Sequence, residues 1–188
     1  MKYLQKFEHY LYQENPSKSG SYNKVYVLDD EWVLKTPLNV DDVGDHEMNA
    51  WDILEKFDDH IKTMQQFPEF FPKVKRLDKY RALIENCDCK KAKQEIKHLQ
   101  DIFYMLANNI SGLKYTDGFF DYIVVSHPEY LDILKEEGDK LCEKWITFLV
   151  NLKDSIFFES CVESCGYIDL HEDNFGIDKE GNIKLLDF

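Results

Sequence analysis

The sequence predicts an α+β fold in two parts. Residues 1–85 form a strand-rich front with one long helix, and residues 86–188 form a helical rear, together making a single domain. Three observations predict it. Two short runs rich in Val and Tyr or Trp, residues 24–28 and 32–35, flank an acidic turn. From residue 90 onward the apolar residues recur at helical spacing. The chain then closes on a second hairpin pattern, residues 174–178 and 183–186, across the turn sequence Lys179-Glu180-Gly181-Asn182.

Each element follows from local chemistry. Residues 3–13 read as a helical or extended lead-in, and Pro, Ser, Gly and Asn make residues 15–21 a loop. Asp29-Asp30-Glu31 turns the first hairpin, and Pro37 ends its second strand. Residues 41–57 read as a helix whose buried stripe is Ala50, Trp51, Leu54 and Phe57. Residues 67–72 are an aromatic, Pro-punctuated connector. Residues 74–76 and 81–85 are strands across Leu77-Asp78-Lys79-Tyr80, broken by Asn86-Cys87-Asp88-Cys89. Ile96, Leu99, Phe103 and Leu106 define an amphipathic helix over 90–107. Residues 116–125 fit either helix or strand. Residues 128–160 are helical, with a break near Gly138 and a buried face of Leu141, Trp145, Phe148, Leu149, Leu152 and Ile156. Gly166 ends this stretch.

The chain has 188 residues, 44% of them hydrophobic, enough for a substantial core. Its formal net charge is −13, which repels nucleic-acid phosphates and anionic membranes, so neither is an expected partner. The apolar runs are too short to span a bilayer. The five cysteines, Cys87, Cys89, Cys142, Cys161 and Cys165, are odd in number, and no leader sequence is expected before them. The expectation is reduced, buried thiols in a cytoplasmic protein. Cys87 and Cys89 lack the second pair that a zinc site needs.

Two charges stand out in the front half. Lys35 shares a strand face with Val33, and across the hairpin with Val25, so an ammonium is directed over an apolar slot. Glu47 precedes Ala50, Trp51 and Leu54 by three, four and seven residues, which places a carboxylate on the same helix stripe. Each charge on an apolar face calls for a partner, and the two are expected to form an ion pair. In the rear half, Asp169 and Asn174 lie five positions apart in the polar loop Asp169-Leu170-His171-Glu172-Asp173-Asn174. Asp187 ends the apolar run Lys184-Leu185-Leu186.

These residues, in this order, resemble the protein-kinase-like superfamily. The Asp169-Leu170-His171 loop is most similar to those of small bacteriophage-encoded protein kinases and of aminoglycoside and choline kinases. The resemblance spans residues 20–188 and implies a two-lobed kinase-like fold with a minimal or truncated C-lobe. It also implies ATP and Mg²⁺ as cofactors. Lys35 matches the Lys on the α- and β-phosphates, and Glu47 the helix Glu that holds it. Gly20 matches the middle glycine of the phosphate loop, and Val25 and Val33 line the nucleotide slot. Ile84 precedes the hinge, and Glu85 to Cys87 match the hinge whose backbone meets adenine. Asp169 matches the catalytic Asp, Asn174 and Asp187 the metal ligands, and Phe188 the next residue of the Asp-Phe-Gly motif. His171 stands where many kinases carry a Lys beside the γ-phosphate. In the rear half, Tyr167 replaces a loop His. Gly176 replaces the large residue that floors the adenine slot, with Phe175 or Ile177 to compensate.

The resemblance therefore predicts a cytoplasmic Ser/Thr protein kinase with a protein acceptor, acting in a host cytoplasm if phage-encoded. Lys18 and Asn23 stand at the other two glycine positions of the phosphate loop, and the chain stops at Phe188, where the acceptor platform would begin. These departures keep a pseudokinase that binds a host protein as an alternative. A metal-dependent hydrolase using Asp169, His171 and Asp173 is a lesser one.

Overall fold

The computed structural model describes residues 18–19, 23–37, 50–107, 119–165 and 168–188. The fold is mixed α+β. The chain divides into two compact units, Met1–Asn86 and Cys87–Phe188.

The first unit is built on a five-stranded antiparallel sheet in the order β1-β2-β3-β5-β4. The strands are β1 (Lys18–Ser19), β2 (Asn23–Val27), β3 (Trp32–Pro37), β4 (Val74–Asp78) and β5 (Arg81–Glu85). Residues 18 and 19, expected within a loop, pair with Val25 and Lys24 of β2. The β2–β3 turn is fixed by Asp29, whose carboxylate accepts from the amides of Glu31 and Trp32, both at 2.9 Å. Asp78 plays the same part between β4 and β5, accepting from Tyr80 N at 2.8 Å. One face carries Tyr26, Trp32, Leu34 and Leu83, gathered with Leu28 into an apolar cluster. Strand alternation puts Val25, Val33, Lys35, Ala82 and Ile84 on the other.

Helix α1 (Ala50–Gln66) runs past the expected end at residue 57, to just short of Pro68. Its buried stripe is Ile53, Phe57, Ile61 and Met64, with His60 among them, whereas Trp51, expected inside, is 79% exposed. The reason is the length of the helix. Counted over five turns rather than two, the apolar residues centre on Phe57 and Ile61, and that axis turns Trp51 outward. Arg76 of β4 forms an ion pair with Asp58 of α1, which also receives Lys62 from the next turn.

The second unit is helical apart from one hairpin. Helix α2 (Cys89–Ala107) buries Ala92, Ile96, Leu99 and Phe103. A π-helical segment (Asp121–Ser126) occupies part of the stretch that fitted either helix or strand. The expected helix over 128–160 is three helices: α3 (Glu129–Glu137), α4 (Lys140–Lys153) and α5 (Ile156–Cys165). Asp139 caps α4, accepting from Leu141 N and Cys142 N at 2.9 and 3.0 Å. Those amide bonds, the one from Cys142 foremost, and the His98 ring at 2.7 Å hold the Asp139 carboxyl down at about 2. Ser155 caps α5 by accepting from Phe158 N at 3.1 Å, and this second break rotates Ile156 to 72% exposure, off the expected buried face. Cys161 and Cys89 are half-buried, whereas Cys87 and Cys142 are buried.

Strands β6 (Phe175–Ile177) and β7 (Ile183–Leu185) pair in the register Phe175↔Leu185 and Ile177↔Ile183. Gly181 turns the hairpin at φ +88°, a backbone angle that glycine adopts without strain. The hairpin is locked into the helical core by Phe175, fully buried, which packs on Phe120, Trp145 and Phe148 with centroids 5.0, 5.6 and 6.3 Å away. Trp145 in turn donates its indole N–H to Glu95 at 2.9 Å, and Lys144 shares that carboxylate at 3.0 Å. No helix among the described residues is long and apolar enough to cross a membrane.

Candidate functional site

In the first unit, Val25, Val33, Lys35 and Ile84 share one sheet face, while Glu85, opposite Trp32, belongs to the other. Val25 lies opposite Lys35, Lys35 opposite Ala82, and Val33 opposite Ile84. Lys35 is 3% exposed, and its ammonium meets the ring of His60 on α1, Nζ to Nε2 2.8 Å. An ammonium has no lone pair, so Nε2 is the acceptor and the ring hydrogen sits on Nδ1. Burial first, and the Lys35 charge second, hold the His60 pKa well below the usual 6.5, so the ring is neutral. Helical spacing alone could have flagged His60, three residues after Phe57 and four before Met64. Ending the helix at residue 57 hid it.

Gly20 and Glu47, and with Glu47 the expected ion pair, lie outside the described residues. Asn23 is described: it is buried, and its Oδ1 has no hydrogen-bond partner among the described residues. The expected hinge is tightly tied. The Glu85 amide donates to Lys73 O at 2.9 Å and the Asn86 amide to Glu31 O at 2.8 Å. The buried Glu85 side chain accepts from Lys73 N at 3.3 Å and pairs with its ammonium at 3.5 Å. These bonds leave few backbone donors for the edge of a base.

In the second unit, residues 87–89 lie along β6. Asp88 and Ile177 exchange both backbone bonds, N to O 2.8 and 3.3 Å. The approach is close enough that a Cβ on Gly176 would fall 2.6 Å from the Cβ of Cys87, with Leu186 side-chain carbons 3.2 and 3.3 Å away. A side chain there would collide. Phe175 and Ile177 do not substitute for it, because alternation turns them to the opposite face, and Phe175 belongs to the aromatic core.

The polar loop is tied to itself and to the strand end that follows it. Asn174 Nδ2 donates to the carbonyl of Asp169 at 3.1 Å, which directs the Oδ1 end of the amide elsewhere. Leu186 N donates to Asn174 O at 2.6 Å, extending the β6–β7 ladder by one step, so Asn174 stands beside the residue that precedes Asp187. Phe188, next along, packs edge-on against Phe157 of α5, centroids 5.0 Å apart. Asp169 is exposed and Asp187 half-buried. An amide oxygen and a carboxylate next to one ladder step are hard donors of the kind that suit Mg²⁺.

His171 opens a short 3₁₀ turn (Glu172–Asn174), its Nδ1 accepting from Asp173 N at 3.2 Å. The ring hydrogen in that bond pattern is on Nε2. Positive charge reaches the loop from Lys93 of α2, which pairs with Asp173; this bond raises the Lys93 pKa. Sequence reasoning missed Lys93, since nothing in local spacing links it to a loop eighty residues downstream. No group of three or more His, Cys, Asp or Glu side chains among the described residues is placed to hold a metal ion. Compared with known proteins, the chain matches no protein-family model, no curated protein and no solved structure.

Proposed function

We propose that the protein is an ATP- and Mg²⁺-dependent phosphotransferase of the protein-kinase-like type, transferring phosphate to a Ser or Thr hydroxyl of a protein. One observation carries the reading. The Asn174 side chain donates to the Asp169 carbonyl and the Asn174 carbonyl accepts from Leu186 N, so the backbone of the loop is tied to the strand end that precedes Asp187. Asn174 and Asp187 would hold Mg²⁺, whose charge offsets that of the phosphates. Asp169 would take the acceptor proton as the hydroxyl oxygen bonds to the γ-phosphorus and the bond to the ADP oxygen breaks. Lys35, buried and aimed by α1, would orient the α- and β-phosphates. A cytoplasmic setting, where ATP is abundant and thiols stay reduced, accompanies this reading.

The hydrolase alternative needs Asp169, His171 and Asp173 as one ligand set. His171 Nδ1 and the Asp173 carboxylate are already engaged, by an amide and by Lys93, so that alternative draws no support from the loop.

Calorimetric titration with Mg-ATP tests the proposal. Wild type and Asp169→Ala are expected to bind with similar affinity, and Asp187→Ala to lose the Mg²⁺-dependent part of binding. Equal binding by all three removes Asp187 from the site. Binding without transfer to any protein favours the pseudokinase reading.

A further inference from the structure

We propose that the outer edge of β4 is a docking site for an acidic, extended segment of another protein, which adds to the sheet as a further strand. β4 is the last strand in the sheet order, paired along one side to β5. Glu85 N donates to Lys73 O at 2.9 Å, so residues 73 and 75 direct their backbone groups toward β5. The antiparallel alternation then turns the N–H and C=O of Val74 and Arg76 outward. Beyond them the edge closes. The register shifts between Arg76 and Asp78, and the Arg76 guanidinium donates to the carbonyls of Asp78 and Lys79 at 3.0 and 3.5 Å. The bulge and these two bonds limit the open stretch to residues 74–76 and fix its position.

The surrounding side chains select the charge of the partner. Residues 73–81 carry five cations, Lys73, Lys75, Arg76, Lys79 and Arg81, against the one anion Asp78, in a chain whose net charge is −13. Lys73, Arg76 and Arg81 pair with Glu85, Asp58 and Asp78. Lys75 and Lys79 are exposed and form no ion pair among the described residues, and Lys79 lies over the Tyr80 ring, 4.5 Å from its centroid. Leu77 and Tyr80, 40% and 43% exposed, add apolar surface beside the two lysines. Lysines on an edge oppose the pairing of two copies, which would set like charges against each other. The same lysines favour a strand that places Asp or Glu opposite Lys75 and an apolar residue two positions along, beside Leu77. The edge therefore rejects its own kind and accepts an acidic partner.

The experiment uses the full chain and a short synthetic peptide alternating Glu and Val. Its controls are a peptide alternating Lys and Val, and the Glu–Val peptide with every second amide methylated. Affinity is read by fluorescence anisotropy, and the backbone by amide hydrogen exchange followed by NMR. The Glu–Val peptide is expected to bind about fivefold or more tighter than the Lys–Val peptide, because opposite charges attract and like charges repel across strands. Lys75→Glu, a change at an exposed position, should reverse that preference. The Val74 and Arg76 amides should exchange more slowly once the Glu–Val peptide is bound, and methylation should remove both the protection and most of the affinity. No binding of the Glu–Val peptide would show that the edge lysines only keep strands away, and would overturn the proposal. Equal affinity for the two peptides overturns the charge selection. Binding that leaves both amides unprotected, or that survives methylation, overturns strand addition and leaves charge attraction alone.

Discussion

The two sets of candidate residues solve opposite physical problems. Lys35 sits at 3% exposure on an apolar sheet face, where an unpartnered ammonium would be costly, and a ring from a remote helix compensates it. Asp169 is exposed on a loop, where solvation is cheap and direction is the difficulty. Its loop is therefore held by short-range bonds, Asn174 to Asp169 and Asp173 to His171, and by the hairpin that follows. The first arrangement makes the chemistry depend on core packing, and the second largely separates the two. Mutations in the buried set should change stability and ligand affinity together, whereas those at the exposed carboxylate should change chemistry and leave the fold intact.

The largest effect sharpens that contrast. Asp169→Ala should lower phosphotransfer by about 10²–10⁴-fold, the usual range for a lost general base, with an unchanged thermal midpoint. A shifted midpoint would show that Asp169 is structural. Next is Phe175→Ala, which removes the anchor of the hairpin and should destabilise the second unit by about 3–5 kcal/mol in urea denaturation. Lys35→Met leaves the neutral acceptor His60 without its donor and should cost about 1–3 kcal/mol of stability while weakening nucleotide binding.

A smaller effect is read from pH. His60 is held neutral below its ordinary 6.5, so below that pH the unfolded chain binds a proton that the native one refuses. Stability from this group is complete above about 6.5 and declines as pH falls toward the depressed native value, by at most about 1.4 kcal/mol per pH unit. The decline should be visible as the difference between wild type and His60→Gln in denaturation midpoints from pH 7.5 down to about 5. A difference that stays flat with pH would mean that His60 titrates normally. The smallest effect is at Trp51, exposed on α1, where substitution by Ser should change stability by about 0.5 kcal/mol or less.

Short-range structure was the part readable from sequence. The β2–β3, β4–β5 and β6–β7 hairpins, the sharing of one face by Val25, Val33 and Lys35, and helix α2 follow from alternation, turn chemistry and helical period. What was not readable depends on where helices stop and on what meets at long range. Ending α1 nine residues early put Trp51 in the core and left His60 out. Missing the Ser155 cap put Ile156 in the core. Neither Lys93 nor Cys87 signals in the sequence that it will meet the loop or Gly176, because those contacts exist only once α2 lies against β6. For the candidate site, the bonds that join Asn174 to Asp169 and to Leu186 lie within one loop and the hairpin after it, whereas the expected Lys35–Glu47 pair lies outside the described residues.

The most direct measurement is transfer of labelled γ-phosphate from Mg-ATP to protein, in host-cell lysate and to the chain itself, by wild type against Asp169→Asn. The expected result is labelling of a discrete protein by wild type that falls by about two orders of magnitude or more in the variant, while both bind Mg-ATP alike. Equal labelling by the two proteins, or none by wild type, would contradict the assignment of Asp169 as the acceptor base of a phosphotransferase.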